Sequence, residues 1–126
     1  MATTRLIPMH VIKGQILDHT IEERLGYAMN DEKTNHGDLV RAFSCDPETA
    51  IEEMMLSRKL HETMTGRSDT SKNDVLLYQI RQSFKPGEVT PELALDIGYQ
   101  LGMQFTKGQH QFVVATHVDH AHIHNH

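Results

Sequence analysis

Residues 111–126 read QFVVATHVDHAHIHNH and hold five of the chain's ten histidines. The apolar and β-branched side chains of residues 111–117 predict a strand. From residue 122 to the end of the stretch every second residue is a histidine: His122, His124 and His126. Because successive side chains of a strand point to opposite faces, these three rings would share one face. The stretch therefore predicts a two-stranded hairpin that carries several imidazoles.

The turn of this hairpin decides which rings meet. A four-residue turn at residues 118–121 would place His117 opposite His122 and diagonally near His124. Neutral imidazole is the commonest metal ligand in proteins, so this arrangement favours a divalent cation site. Asp119 would orient a ligating ring, since such rings usually donate their second N–H to a carboxylate or carbonyl. A purification tag or a solvated tail with incidental metal affinity is the alternative interpretation of the same residues.

The composition is typical of one ordinary globular domain, with 126 residues, 38% of them hydrophobic and 23% charged. No apolar run reaches the length of a membrane span or of a signal-peptide core, so we expect a cytoplasmic protein without membrane insertion. Cys45 is the single cysteine, which excludes an internal disulfide. The net charge of −5 argues against nucleic-acid binding, but a cation held by histidines would add positive charge that this count omits.

Periodicity and capping signals predict alternating strands and helices ahead of the hairpin. The first is an edge or bulged strand at 3–12, which contains Pro8. It is followed by a helix at 15–29, a strand at 39–44, a helix that starts at Asp46-Pro47 and ends at Gly66, a loop at 67–73, a strand at 74–84, and a helix from Thr90 to Lys107. This order predicts an α+β fold, in which helices pack on a mainly antiparallel sheet. Gly98 and Gly102 would let the last helix lie close to that sheet.

The histidine stretch resembles the third motif of the mobilisation-type relaxases (MobA/VirD-like), which belong to the histidine–hydrophobe–histidine endonuclease superfamily. The residues that carry the resemblance follow the apolar run FVVAT and are His117, Asp119, His122, His124 and His126. The resemblance extends over the whole chain and implies the palm-like sheet of that superfamily. It also implies that residues 1–126 are the N-terminal portion of a single relaxase domain, truncated at its C-terminus, because the family's sheet continues beyond this motif.

In this family a tyrosine nicks one DNA strand at a plasmid or conjugative-element transfer origin and becomes linked to the 5′-phosphate. Tyr27, in RLGYAMNDEKT, looks like that nucleophile. Tyr78 and Tyr99 lie in a predicted strand and a predicted helix, and both are expected to pack in the core. Ser83, in QSFKPGE, resembles the serine of the second motif, which helps to place the DNA.

The resemblance also implies a divalent cation, with Mg²⁺ or Mn²⁺ expected in use. The residues assigned to it are His117, His124 and His126 as ligands, His122 as an alternative ligand or a proton-handling neighbour, and Asp119 as the carboxylate that orients a histidine or helps to deprotonate Tyr27. Expected partners are single-stranded DNA of the transfer origin, accessory mobilisation proteins and a type IV secretion coupling protein. A rolling-circle replication initiator, a non-enzymatic histidine-rich metal-binding module and an inactive relaxase fragment are the alternatives.

Overall fold

The computed structural model describes residues 2–10, 16–66 and 75–126. The elements in chain order are β1 (Thr3–Met9), α1 (Leu17–Ala28), β2 (Val40–Phe43), α2 (Ala50–Thr65), β3 (Leu77–Ser83), α3 (Pro91–Thr106), β4 (Phe112–His117) and β5 (His124–Asn125). The five strands form one sheet in the order β1-β3-β5-β4-β2, and neighbouring strands are antiparallel. The predicted α+β fold, a mainly antiparallel sheet with helices packed on it, is confirmed. None of the helices within the described residues is long and apolar enough to cross a membrane.

The short strand β5 lies in the middle of the sheet, between β3 and β4. The side chain of Asn125 is buried there, and both polar atoms of its amide are hydrogen-bonded. Its Nδ2 donates to the Gln82 side chain (2.9 Å) and the Ala94 carbonyl (2.7 Å), and its Oδ1 accepts from the Thr116 hydroxyl (2.6 Å). Because a buried polar network favours one arrangement, this amide fixes the register of β5.

Helix α3 packs closely on the sheet where Asn125 lies. A Cβ atom on Gly98 would come within 2.6 Å of Asn125 Nδ2 and 2.8 Å of a Val114 methyl group. A Cβ on Gly102 would come within 2.6 Å of the Phe112 ring. The prediction that these two glycines let the helix lie close to the sheet is confirmed. Since side chains alternate along a strand, His124 and His126 point to the opposite face from Asn125.

Helix α2 begins at Ala50, later than the Asp46-Pro47 sequence predicts, so the predicted cap is wrong. The Glu53 carboxylate accepts hydrogen bonds from the Asp46 backbone N–H (2.7 Å) and the Thr49 hydroxyl (2.9 Å). These bonds stabilise a turn ahead of the helix, and the turn delays the first helical residue.

Other boundaries follow the sequence more closely. Helix α2 ends at Thr65, and Gly66 caps it in the left-handed conformation with a φ of 68°, as the predicted stop at this glycine requires. Thr90 caps α3, since its side chain accepts a hydrogen bond from the Leu93 N–H. Strand β1 lies at the sheet edge, as its Pro8 predicts. The predicted ends of two elements at residues 11–15, and the predicted loop and strand start at residues 67–74, lie outside the described residues.

Candidate active site

Three histidine rings meet at the central strands of the sheet. His117, the last residue of β4, pairs directly with His124 of β5. The ring centroids of His117 and His126 are 4.1 Å apart, those of His124 and His126 are 5.8 Å apart, and those of His117 and His124 are 6.1 Å apart. The structure thus brings together the three histidines that the sequence assigned as metal ligands. We call these residues the histidine cluster.

The turn between β4 and β5 is longer than the sequence predicted. Because His117 pairs with His124, the connection spans residues 118–123, and the predicted pairing of His117 with His122 is wrong. His122 lies exposed in this turn rather than in the cluster.

Contacts with the loop after α1 explain the longer turn. The Val118 N–H donates to the Lys33 carbonyl at 2.8 Å, and the Lys33 ammonium donates to the Asp119 carboxylate at 2.8 Å. These bonds hold the first two turn residues against the loop, so the chain does not reverse within four residues.

Tyr27 lies beside the histidine cluster, in the last turn of α1. Its ring centroid is 5.9 Å from that of His117 and 6.1 Å from that of His126, with edge-to-face geometry in both pairs. The side chain is 53% exposed and is therefore accessible to a large substrate. Among the described residues it is the tyrosine in ring contact with these histidines.

The two competing tyrosines lie elsewhere. Tyr99 packs against Phe112 at a centroid distance of 5.5 Å, as expected for a core residue. Tyr78 is 64% exposed on β3, so the expectation that it packs in the core is wrong. It lies on β3 next to Gln79, and alternation along the strand directs it away from the Gln79 side chain.

His117 is almost fully buried, with 1% of its surface exposed. Its Nε2 lies 2.8 Å from the carbonyl oxygen of Ala28, the last residue of α1. A ring nitrogen that faces a carbonyl carries the proton and donates it, which leaves Nδ1 with a free lone pair. Burial lowers the pKa of His117, although the Ala28 carbonyl raises it in part. His117 is thus a neutral imidazole in a defined tautomer.

The other two rings are also held neutral. Burial lowers the pKa of His124, and burial together with the nearby His117 and Arg81 lowers the pKa of His126 to about 3. The His126 Nδ1 lies 3.0 Å from the amide nitrogen of Gln79 on β3. Since a metal ion needs an unprotonated ring nitrogen, all three rings are in the charge state that binds metal.

Asp119 contacts Lys33 rather than a ring of the cluster. The hydrogen bond with Lys33 lowers the pKa of Asp119 and raises the pKa of Lys33. The carboxylate also lies 3.5 Å from Nε2 of His120, another turn residue. The Lys33 ammonium in turn lies 5.2 Å from the centre of the Tyr27 ring. Asp119 is therefore linked to the tyrosine through Lys33.

Ser83 is the last residue of β3 and is half-buried there. Its backbone pairs with His124 of β5. The structure therefore places this residue next to the histidine cluster, and its role in placing DNA stays a prediction.

The donor set suits a divalent cation, because three neutral imidazoles with free lone pairs are typical ligands of transition ions. Within the described residues, no three His, Cys, Asp or Glu side chains are already close enough to hold a metal ion. Binding would therefore require the rings of the cluster to turn towards one another.

Sequence reasoning missed three groups that contact the histidine cluster or hold its strand. The carbonyl of Ala28 has no sequence signal, since any residue there would supply it. The contact of Gln79 with His126 can be predicted only once β3 is known to lie beside β5. Asn125 had a signal, because a polar residue between two alternating histidines must point to the face that the helix covers.

Comparison with known proteins identifies relatives of this chain. The family described as "Relaxase: MobA/VirD2-like, nuclease domain" matches residues 27–126. The Group II intron-interrupted relaxase LtrB of Lactococcus lactis subsp. cremoris (strain MG1363) is 51% identical over 55 residues, which cover 43% of this chain and 10% of that protein. Protein rlx of Staphylococcus aureus is 35% identical over 85 residues, which cover 68% of this chain and 23% of that protein. No solved structure matches the chain.

The matched region of the chain thus corresponds to between about a tenth and a quarter of the length of these relatives. The family match spans most of the chain and includes Tyr27, Asp119 and the histidine cluster. The chain therefore belongs to the MobA/VirD2-like relaxase nuclease-domain family.

Proposed function

We propose that residues 1–126 form part of a single relaxase nuclease domain that nicks one strand of DNA at a transfer origin. The observation that carries this proposal is the position of Tyr27, an exposed tyrosine in ring contact with His117 and His126. Family membership supports the same activity. Tyr99, by contrast, is half-buried and packs its ring against Phe112.

The proposed reaction is a transesterification. The phenolic oxygen of Tyr27 attacks the scissile phosphorus, and a new P–O bond forms between the tyrosine and the 5′-phosphate. The bond from phosphorus to the 3′-oxygen breaks, and that oxygen leaves and takes up a proton as a free 3′-hydroxyl. The phenol loses one proton and the leaving oxygen gains one, so the reaction needs no co-reactant. One phosphodiester bond replaces another, which keeps the nick reversible.

Lys33 is the cationic group that we place at this reaction. Its ammonium is held by Asp119 at 2.8 Å and lies near the Tyr27 ring. A fixed positive charge there would attract the DNA phosphate. In this proposal Asp119 acts as the anchor of Lys33, whereas the sequence had assigned it to a histidine or to the tyrosine proton.

The histidine cluster is the proposed site of the divalent cation. His117 and His126 are buried enough to stay neutral, and His124 is partly accessible between them and the turn. A bound cation would supply electrostatic stabilisation of the charge that develops on the phosphoryl oxygens. Three imidazoles favour Mn²⁺ or a later transition ion, while Mg²⁺ becomes acceptable when phosphate and water complete its ligands.

The substrate we propose is single-stranded DNA of a transfer origin, with Ser83 among the residues that place it. Accessory mobilisation proteins and a type IV secretion coupling protein remain the expected partners of the whole relaxase. Family membership supports these partners only as a class, since the chain matches a small share of its relatives' length.

A cleavage assay tests the proposal. A labelled single-stranded oligonucleotide of the cognate transfer origin is incubated with the chain in Mn²⁺ or in EDTA. We expect cleavage in Mn²⁺, none in EDTA, and none with Tyr27→Phe. Tyr78→Phe is the matched control, because Tyr78 is also exposed (64%, against 53% for Tyr27) but lies away from the histidine cluster. This variant should cleave like the unsubstituted chain. Cleavage that survives Tyr27→Phe, or Mn²⁺ binding without any cleavage, would contradict the proposal, and the second outcome would favour a metal-binding module.

A further inference from the structure

The side chain of Gln79, on β3, contacts the ring of His126. Its amide nitrogen lies 3.0 Å from Nδ1 of the ring, and its amide oxygen is buried without a hydrogen-bond partner in the described part of the chain. The backbone of Gln79 is fixed, because β3 pairs with β1 at this position and Gln79 lies opposite Ile7. The amide can therefore exchange its two ends only by rotating about its last side-chain bond.

The two orientations of the amide have opposite consequences for the ring. If the nitrogen faces His126, Nδ1 must accept the hydrogen bond, and the proton of the neutral ring lies on Nε2. If the oxygen faces His126, Nδ1 carries the proton and donates it, and Nε2 keeps a free lone pair. Gln79 covers Nδ1 in either case, so Nε2 is the only nitrogen of this ring that is left for a ligand.

His117 shows the same arrangement already in place. One of its nitrogens faces the Ala28 carbonyl at 2.8 Å, and the other nitrogen is left free. The carboxylate that the sequence assigned to such a task, Asp119, is engaged by Lys33. His126 thus lacks a carboxylate partner among these contacts, and the amide oxygen of Gln79 is the acceptor within its reach.

We propose that Gln79 is a positioning residue, whose amide oxygen accepts the Nδ1–H of His126 and thereby leaves Nε2 free for the cation. The part of this inference that concerns the cation rests on the proposed function. The part that concerns the tautomer does not, since the Gln79 amide faces Nδ1 of His126 without any ligand.

The experiment has two readouts on ¹⁵N-histidine-labelled chain. Long-range ¹H–¹⁵N NMR reports which nitrogen of His126 carries the proton, in the metal-free chain and with Zn²⁺ as a diamagnetic probe. Calorimetric titration reports the affinity for Mn²⁺. We expect the Nδ1–H tautomer in the metal-free chain and in the Zn²⁺-bound chain.

Three variants separate positioning from packing. Gln79→Glu keeps an acceptor and should retain the Nδ1–H tautomer. Gln79→Leu removes the acceptor and should give mixed tautomers with a roughly 10- to 100-fold loss of Mn²⁺ affinity, the range typical for groups that orient a ligand. Gln104→Leu, on the exposed side of α3, is the matched control and should change neither readout.

Two results would overturn the inference: an Nε2–H tautomer of His126 in the metal-free unsubstituted chain, or an unchanged Mn²⁺ affinity in Gln79→Leu. If the unsubstituted chain binds no cation, the proposed metal site fails, yet the metal-free tautomer still decides the role of Gln79. The tautomer of the unsubstituted chain also decides it if Gln79→Leu does not fold.

Discussion

Gly98 of α3 lies directly against Asn125 of β5, so closely that a Cβ on the glycine would come within 2.6 Å of the amide nitrogen. Asn125 is flanked by His124 and His126 in the sequence, and its buried amide fixes the strand that carries both rings. The position of the histidine cluster therefore depends on a residue that has no side chain, on the opposite side of the sheet.

Gly98→Ala tests this dependence. A better helix former gains about 1 kcal/mol, but overpacking of a filled interior typically costs about 1–3 kcal/mol, so we expect a net loss of up to about 2 kcal/mol in the free energy of unfolding. Urea denaturation measures it. Gly26→Ala is the matched control, because nothing lies within 4 Å of its added Cβ and the change should stabilise α1. Equal stability of the two variants would contradict the packing described for Gly98.

The buried amide network gives a second prediction. Thr116→Val keeps the shape of the side chain but removes the donor that satisfies Asn125 Oδ1. An unsatisfied buried acceptor costs about 1–3 kcal/mol, which should appear as a lower denaturation midpoint. Thr106→Val is the control, since that hydroxyl donates within its own helix, to the Gly102 carbonyl. A Thr116→Val midpoint no lower than that of the control would show that the network does not stabilise β5.

Substitution of Lys33 should weaken DNA binding rather than lower the stability of the fold. Lys33→Met removes a charge next to Tyr27 and breaks the ion pair between Lys33 and Asp119. We expect weaker binding of single-stranded DNA and a smaller salt dependence, with the slope of log K against log salt reduced by up to about one. Lys59→Met, on the exposed face of α2, is the control and should leave both values unchanged. Identical salt slopes for Lys33→Met and the unsubstituted chain would remove Lys33 from the DNA-contacting surface.

The buried histidines predict a loss of stability in acid. The pKa of His126 is about 3 in the folded chain, against an ordinary value of 6.5. Between these values the unfolded chain binds a proton that the folded chain does not, so the free energy of unfolding falls as the pH drops from about 6.5 towards 3. Above 6.5 the stabilisation is fully present. His117 and His124, whose pKa values are also lowered by burial, add in the same direction.

Denaturation of the metal-free chain in EDTA between pH 7 and pH 4 measures this effect. The slope contributed by one histidine cannot exceed about 1.4 kcal/mol per pH unit. His126→Gln should flatten the pH dependence, whereas His61→Gln, on the exposed surface of α2, should not. A pH dependence that is the same in both variants would mean that the ring of His126 is solvated in the folded chain.

The sequence predicted the parts of the site that depend on local periodicity. Alternation placed His124 and His126 on one face because the period of two is a property of the strand itself. The length of the turn depended instead on Lys33, which lies 86 residues before Asp119 and which no local pattern connects to it. The predicted start of α2 was wrong for a similar reason, since Glu53 stabilises a turn that the capping signals do not include.

The role of Gln79 could not be predicted before the register of the sheet was known. The strand pattern identifies β3, but only the strand order places β3 beside the histidine strand. The prediction that Tyr27 is the nucleophile came from its resemblance to a motif, and helical periodicity alone gave no reason to prefer this tyrosine. The structure adds an independent reason, its exposed position in ring contact with His117 and His126.

The most direct test is to map where the DNA becomes attached. The chain is incubated with the transfer-origin oligonucleotide and Mn²⁺, digested with trypsin and nuclease, and the modified peptide is identified by tandem mass spectrometry. We predict a nucleotide linked through a 5′-phosphate to Tyr27. Attachment to Tyr78, Tyr99 or any other residue, or the absence of an adduct when the DNA is bound, would contradict the proposal that Tyr27 is the nucleophile beside the histidine cluster.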